Sequence, residues 1–284
     1  MNSTVLATIG SSPLPPSQEP VRRTVILERG LTYVHRQHSQ YFNPEEVNSA
    51  IENIYILGVE VGLSTDKEGL ASEAMLQLIS HLLSEPCFDQ LRTKEQLGYI
   101  VSVSHTKISQ LLALRVIVQS NHKDPEYLDD RIELFLNQYR ENLMGMGSEE
   151  FQANVNAVRE HLLEKPKNLN QVMLLQYLAY FSLALQESST FWEEINTSTY
   201  FFQRKSNVAE LLSEVTLSET IEFYDKFVLS NQRKKFSSRF FGKDKSYPDT
   251  TKNDVVVVSS PVQFKRSMPA SPIIDHSTGL HMSK

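Results

Sequence analysis

The chain predicts an α+β fold in which an antiparallel sheet packs against a layer of helices. Three observations carry that reading. Residues 53–63 and 99–118 alternate apolar and polar with period two, the period changes to 3.6 from residue 124, and a strand-like run returns at Lys235–Phe241. Strands followed by a block of helices are the mark of α+β layering rather than of alternating βα units.

Taken in order, residues 1–20 are rich in Ser and Pro (Pro13, Pro15, Pro16, Pro20) and read as a disordered leader or the stump of a linker. Residues 21–241 read as one α+β domain. It begins with two short extended runs, Val21–Arg29 and Leu31–Arg36, around Gly30. Tyr55, Leu57, Val59, Val61 and Leu63 share one face of a half-buried strand. Thr65-Asp-Lys-Glu68 matches a capping box and starts a helix with Ala71, Met75, Leu78 and Leu82 inward. Pro86 is then expected to open a separate short helix, with Phe88 and Leu91 on one side and Gly98 closing it.

A hairpin follows, with Tyr99, Val101 and Val103 in one strand, Leu112, Leu114, Val116 and Val118 in the next, and a turn at Lys107–Gln110. Asp124 caps a helix with Pro125 in its first turn and Leu128, Ile132, Phe135, Tyr139 and Leu143 as its buried stripe. Ser148 starts another, with Phe151, Val155, Val158 and Leu162 inward, ending at Lys165-Pro166. Gln171–Gln186 is apolar nearly all round and reads as a buried helix, and Thr216-Leu-Ser-Glu219 is a second capping box. Residues 242–284 read as an irregular or disordered tail. Its run Val255–Val258 is either a docked edge strand or an aggregation-prone segment.

Composition narrows the function. The chain has 284 residues and a formal charge of −6, from 28 basic and 34 acidic side chains, so there is no general pull toward nucleic acid or an anionic membrane. The apolar run Val172–Leu185 is too short to span a bilayer, and no Lys or Arg precedes Val5–Ile9 to suggest a signal peptide. Cys87 is the single cysteine, which excludes an internal disulfide and fits a reducing, cytoplasmic setting.

Candidate chemistry is sparse. His161-Leu-Leu-Glu164 begins an inverted zinc motif, but Lys165 stands where the second imidazole must be, and an ammonium repels the metal. His35 and His38 lie three apart on an expected strand, which sends their rings to opposite faces. No metal ligand set and no catalytic residue is therefore assigned. Cys87 reads as a small buried hydrophobe, with a nucleophile as the alternative.

Arg92 and Tyr99 are the candidate site. The turn at Gly98 brings them to one surface, where a guanidinium fork suits peptide carbonyls or a carboxylate and a phenol can donate to an oxygen gaining charge. The alternative pairs Arg92 with Glu95 or Asp89 and buries the Tyr99 ring.

The run Ser84–Val101 resembles, nearly letter for letter, a segment in the non-catalytic C-terminal half of the insulysin family, zinc peptidases of the inverted-motif (M16) type. Pro16-Ser17-Gln18, Val59–Gly62, Glu164–Lys167 and the Leu217 helix extend the resemblance. It implies the fold of a peptidase half-unit whose Arg92 and Tyr99 hold substrate backbone near the scissile bond. It also implies that Lys165 and Lys167 bind polyanions, although Asn168 replaces a further family lysine. By the same resemblance this chain binds no cofactor, zinc resides on a complementary N-terminal catalytic half, and the chain is inactive alone. The expected partners are a peptide substrate and that catalytic half or a homologous subunit. The alternative is a non-enzymatic interaction protein using the same fold.

Overall fold

Six strands form one sheet in the order β3-β4-β2-β5-β1-β6: β1 Thr32–His38, β2 Ser49–Leu57, β3 Ile100–Ile108, β4 Leu111–Ser120, β5 Lys234–Phe241 and β6 Val255–Val258. The structure is a computed structural model that describes residues 24–41, 43–57, 66–108, 111–164, 191–192, 194–195, 201–247 and 254–270. The helices are α1 Lys67–Cys87, α2 Pro125–Gly145, α3 Ser148–Leu163, α4 Arg204–Leu212, α5 Leu217–Tyr224 and α6 Pro261–Ser267. The expected leader, the helix at Gln171–Gln186 and the strand residues beyond Leu57 lie outside the described residues.

The α+β class holds, with one refinement. Pairing is antiparallel across β3, β4, β2 and β5, but β1 runs parallel to both β5 and β6, so the sheet is mixed. Apolar alternation fixes which face a residue occupies and leaves the direction of its neighbour open. β5 returns from the far end of the helical layer and inserts between β1 and β2. That long crossover is what makes the parallel pair possible.

Helices α1 and α2 cover one face of the sheet. Ile51, Tyr55, Leu57, Val101, Val103, Leu114, Val116 and Val118 meet Leu78, Ile79, Leu82 and the expected α2 stripe there, all buried. The other face is covered at its β1 end by α6, where the Phe264 ring lies 5.3 Å from Tyr33 and 6.1 Å from Phe236. The tail expected to be irregular therefore supplies an ordered edge strand and a helix over residues 255–267. Val255–Val258 is docked on β1, and Ile26 N–H donates to the Pro269 carbonyl at 2.8 Å to tie the two ends together.

Local signals set most helix starts. Asp124 accepts from Tyr127 N–H at 2.9 Å with Pro125 in the first turn, and Thr216 and Glu219 form the reciprocal capping box. At α1 the cap is Asp66, which accepts from Gly69 N–H at 2.6 Å, while the expected cap Thr65 lies outside the described residues.

Pro86 does not open a second helix. It sits inside α1, where its missing N–H would leave the Leu82 carbonyl without its usual partner. The Tyr139 hydroxyl of α2 donates to that carbonyl at 2.8 Å, so the helix continues through the proline into a π-helical turn, Phe88–Lys94.

The strand β5 carries the least expected packing. Lys235, Ser237, Arg239 and Phe241 point inward. Lys235 Nζ reaches Asp129 at 2.6 Å and Glu133 at 2.7 Å, Arg239 binds Asp129 at 2.6 Å and also pairs with Glu126, and Arg233 binds Glu133 at 2.7 Å. Asn53 and the buried Tyr55 hydroxyl complete the network by donating to Asp129 at 2.7 Å and to Glu133 at 2.9 Å. A second buried cluster joins Arg204 of α4 to Glu73 of α1 at 2.7 Å and to Glu194. Buried charges persist only when paired in this way.

Candidate functional site

Arg92 lies in the π-helical turn after α1, and Tyr99 immediately precedes β3. The Arg92 guanidinium carbon is 4.8 Å from the centroid of the Phe88 ring and 5.1 Å from that of Tyr99, so the cation lies over both aromatic rings. The alternative pairing does not form. Asp89 is held by Lys94 at 2.8 Å, and Glu95 is gripped by Arg131 through two bonds of 2.6 Å. Among the described residues Arg92 has no ion pair or hydrogen bond. Tyr99 is 83 % exposed rather than an inward strand residue. The structure thus brings the two side chains together on one open surface.

Two backbone features hold that arrangement. Gln96 adopts a left-handed backbone, φ 53°, and Leu97 N–H reaches back to the Leu91 carbonyl at 3.0 Å. The bond spans one residue more than the usual six-to-one helix closure, as the wider π-helical turn requires, and both leucines are buried, so Gln96 closes the turn and Gly98 does not. Gly98 is needed for space instead. A Cβ built there would lie 1.7 Å from the Gln119 carbonyl oxygen, so only glycine lets this loop pass against the end of β4.

Beside this contact is a pocket of about 520 Å³ lined by Asn48, Arg92, Thr93, Gln96, Gly98, Tyr99, Gln119 and Asn121. The sequence reading missed the amide residues, because they come from three separate segments and carry no local pattern. The positive φ at Gln96 was equally invisible, since the expected left-handed residue is glycine.

The remaining candidates fall elsewhere. Lys165 and Lys167 lie outside the described residues. His161 is exposed near the end of α3. His35 Nδ1 lies 2.9 Å from the Val258 carbonyl, while His38 stacks on Tyr247 at 4.5 Å from the opposite face of β1. Neither histidine arrangement supplies the donor set zinc requires, and among the described residues no group of three ligating side chains converges. Cys87 is fully buried, and burial pushes its thiol up to about 12, which suits packing and not nucleophilic attack. No helix among the described residues is long and apolar enough to cross a membrane.

Comparison with known proteins agrees with this architecture. Residues 78–175 match the family model for PQQ synthase PqqF-like, C-terminal lobe domain 4. The solved structure of pitrilysin superposes with a TM-score of 0.72 at 18 % identity, over 95 % of this chain and 26 % of that one. Fold and sequence make this chain a homologue of the C-terminal half of the M16-type metallopeptidases. Within that class its relatives are insulin-degrading enzymes. It is 30 % identical over 264 residues to insulin-degrading enzyme-like 1, peroxisomal, of Arabidopsis thaliana, and 27 % identical over 292 residues to the insulin-degrading enzyme of Homo sapiens. Those matches cover 90 % and 96 % of this chain but 25 % and 26 % of the relatives, so the chain spans about a quarter of their length.

Proposed function

We propose that this chain is a peptide-binding wall of an insulysin-like zinc endopeptidase, acting on short or partly unfolded peptides, with no catalytic metal of its own and no turnover alone. One observation carries the reading: the Arg92 fork lies over the Phe88 and Tyr99 rings yet makes no hydrogen bond or ion pair among the described residues. A guanidinium held over aromatic rings with its N–H groups unspent is prepared to take peptide carbonyls. The exposed Tyr99 hydroxyl adds a donor beside it.

In this reading zinc belongs to a complementary N-terminal half, which supplies the water-activating chemistry. The present residues bind and orient the peptide. Lys165 and Lys167 are assigned to polyanion binding on the strength of the family resemblance alone, and the setting is taken as cytoplasmic. The exposed aromatic group Phe191, Trp192 and Phe202 favours a second reading, a non-enzymatic protein that pairs with a partner subunit.

Mixing the chain with an N-terminal catalytic half and a fluorogenic peptide separates the two. Restored cleavage that Arg92→Ala weakens supports the peptide wall. Stable pairing without cleavage supports the interaction protein.

A further inference from the structure

We infer that the pocket beside Arg92 is a subsite selective for an acidic side chain of a bound peptide, and that Gln96 helps set the preference. The inference rests on the reading of Arg92 and Tyr99 as peptide contacts.

The lining has a marked chemical bias. It contains one cation, Arg92, four primary amides, one hydroxyl from Thr93 and the Tyr99 phenol, and no Asp or Glu. The acid bonded to the lining is Glu46, and it is already engaged: its Oε1 accepts from Asn48 N–H at 2.8 Å and from Asn48 Nδ2 at 2.6 Å. The second of these bonds uses one N–H of the Asn48 side-chain amide on Glu46. Asn121 uses only its oxygen, with Oδ1 2.9 Å from His122 Nδ1, and that bond leaves its N–H₂ group unspent. Gln96 and Gln119 line the space with Arg92, Thr93, Tyr99 and Asn121, and neither glutamine side chain has a partner among the described residues. An anionic oxygen entering this pocket meets a guanidinium and amide N–H₂ groups with no opposing charge in the lining. Lysine or arginine on the ligand finds amide oxygens but no carboxylate in the lining, and is repelled by Arg92.

Gln96 supplies an independent argument. It is the one non-glycine residue with a positive φ among the described residues, a conformation that glycine adopts without strain. Glycine would close the turn equally well. A glutamine there keeps an amide on the pocket wall at the expense of backbone strain, and such strain concentrates at ligand clamps.

The test is fluorescence anisotropy of the whole chain with two labelled extended peptides that differ only in Glu against Gln at one central position. The Glu peptide is expected to bind roughly three- to tenfold tighter, the scale of a partly exposed charge-assisted contact, with the ratio shrinking as salt rises. Gln96→Gly and Gln119→Ala, each confirmed folded by thermal melting, are expected to move the ratio toward one. Equal binding of the two peptides, or a ratio that neither variant moves, overturns the carboxylate preference and leaves the peptide wall standing. Binding of neither peptide overturns both.

Discussion

The guanidinium of Arg92 sits 5.1 Å from the centre of the Tyr99 ring, and that ring is almost wholly open to solvent. Its planar, delocalised charge makes the contact, so lysine is not a substitute. Arg92→Lys is expected to weaken peptide binding roughly tenfold, because a point-like ammonium loses both the stack and the bidentate fork. Tyr99→Phe keeps the ring and removes one donor, and the loss should be a few-fold, about that of one hydrogen bond. Anisotropy titrations of both variants, with a double-mutant cycle, check whether the two side chains act as a unit.

Gly98 has a different vulnerability. Gln119, whose carbonyl oxygen blocks the Cβ position, is fixed in β4 between Ile100 of β3 and Ala50 of β2. A strand paired on both sides does not yield to one methyl group. Gly98→Ala should cost about 3 kcal/mol and shift the urea midpoint accordingly, the range of severe overpacking. A change below about 0.5 kcal/mol, typical of an open surface site, would show that the loop moves aside.

How far the amino-acid sequence disclosed this molecule depended on the range of the interaction. Asp124 with Pro125, and Thr216 with Glu219, are contacts three residues apart at most, and they formed as their spacing implies. The α2 stripe was equally readable, since Leu128, Ile132, Phe135, Tyr139 and Leu143 repeat at helical period and all are buried. Pro86 was misread because its remedy, the Tyr139 hydroxyl, lies 57 residues beyond the Leu82 carbonyl that it satisfies. The strand β5 formed where a strand-like run was expected, but its inward face was not readable. Lys235 and Arg239 turn inward because Asp129 and Glu133 lie across from them on α2, and hydropathy alone assigns such residues to solvent. At the site, Arg92 and Tyr99 were visible through a contiguous motif, whereas Asn48 and Gln119 reach the pocket only through the tertiary fold.

Cys87 offers a clean probe of the buried layer. With its thiol pushed up to about 12 by burial, only about one part in ten thousand is thiolate at pH 8. An aromatic disulfide reagent should therefore leave the native chain unmodified over hours and react stoichiometrically in denaturant. The native rate should track global unfolding, and rapid labelling without denaturant would contradict the packing of α1 against the sheet.

The buried network gives the protein a pH dependence whose sign can be worked out. Burial pushes the Glu133 carboxyl up, but Lys235 and Arg233 outweigh it and hold it below the ordinary value of 4.5. The folded state therefore holds this proton less tightly than the unfolded chain. The stability it contributes is fully present above pH 4.5 and is lost as pH falls through the folded value. Lys235→Met removes the cation shared by Asp129 and Glu133 and leaves each acid with one arginine, Arg239 and Arg233, which should cost about 3 kcal/mol at pH 7. In that variant Arg233 alone opposes burial, the Glu133 value rises, and protonation weakens the fold less than it does in the wild type. Urea unfolding at pH 7 and near pH 4 should show the gap between wild type and variant narrowing in acid. A gap that stays constant would mean that the Lys235 ammonium does not set the ionisation of Glu133.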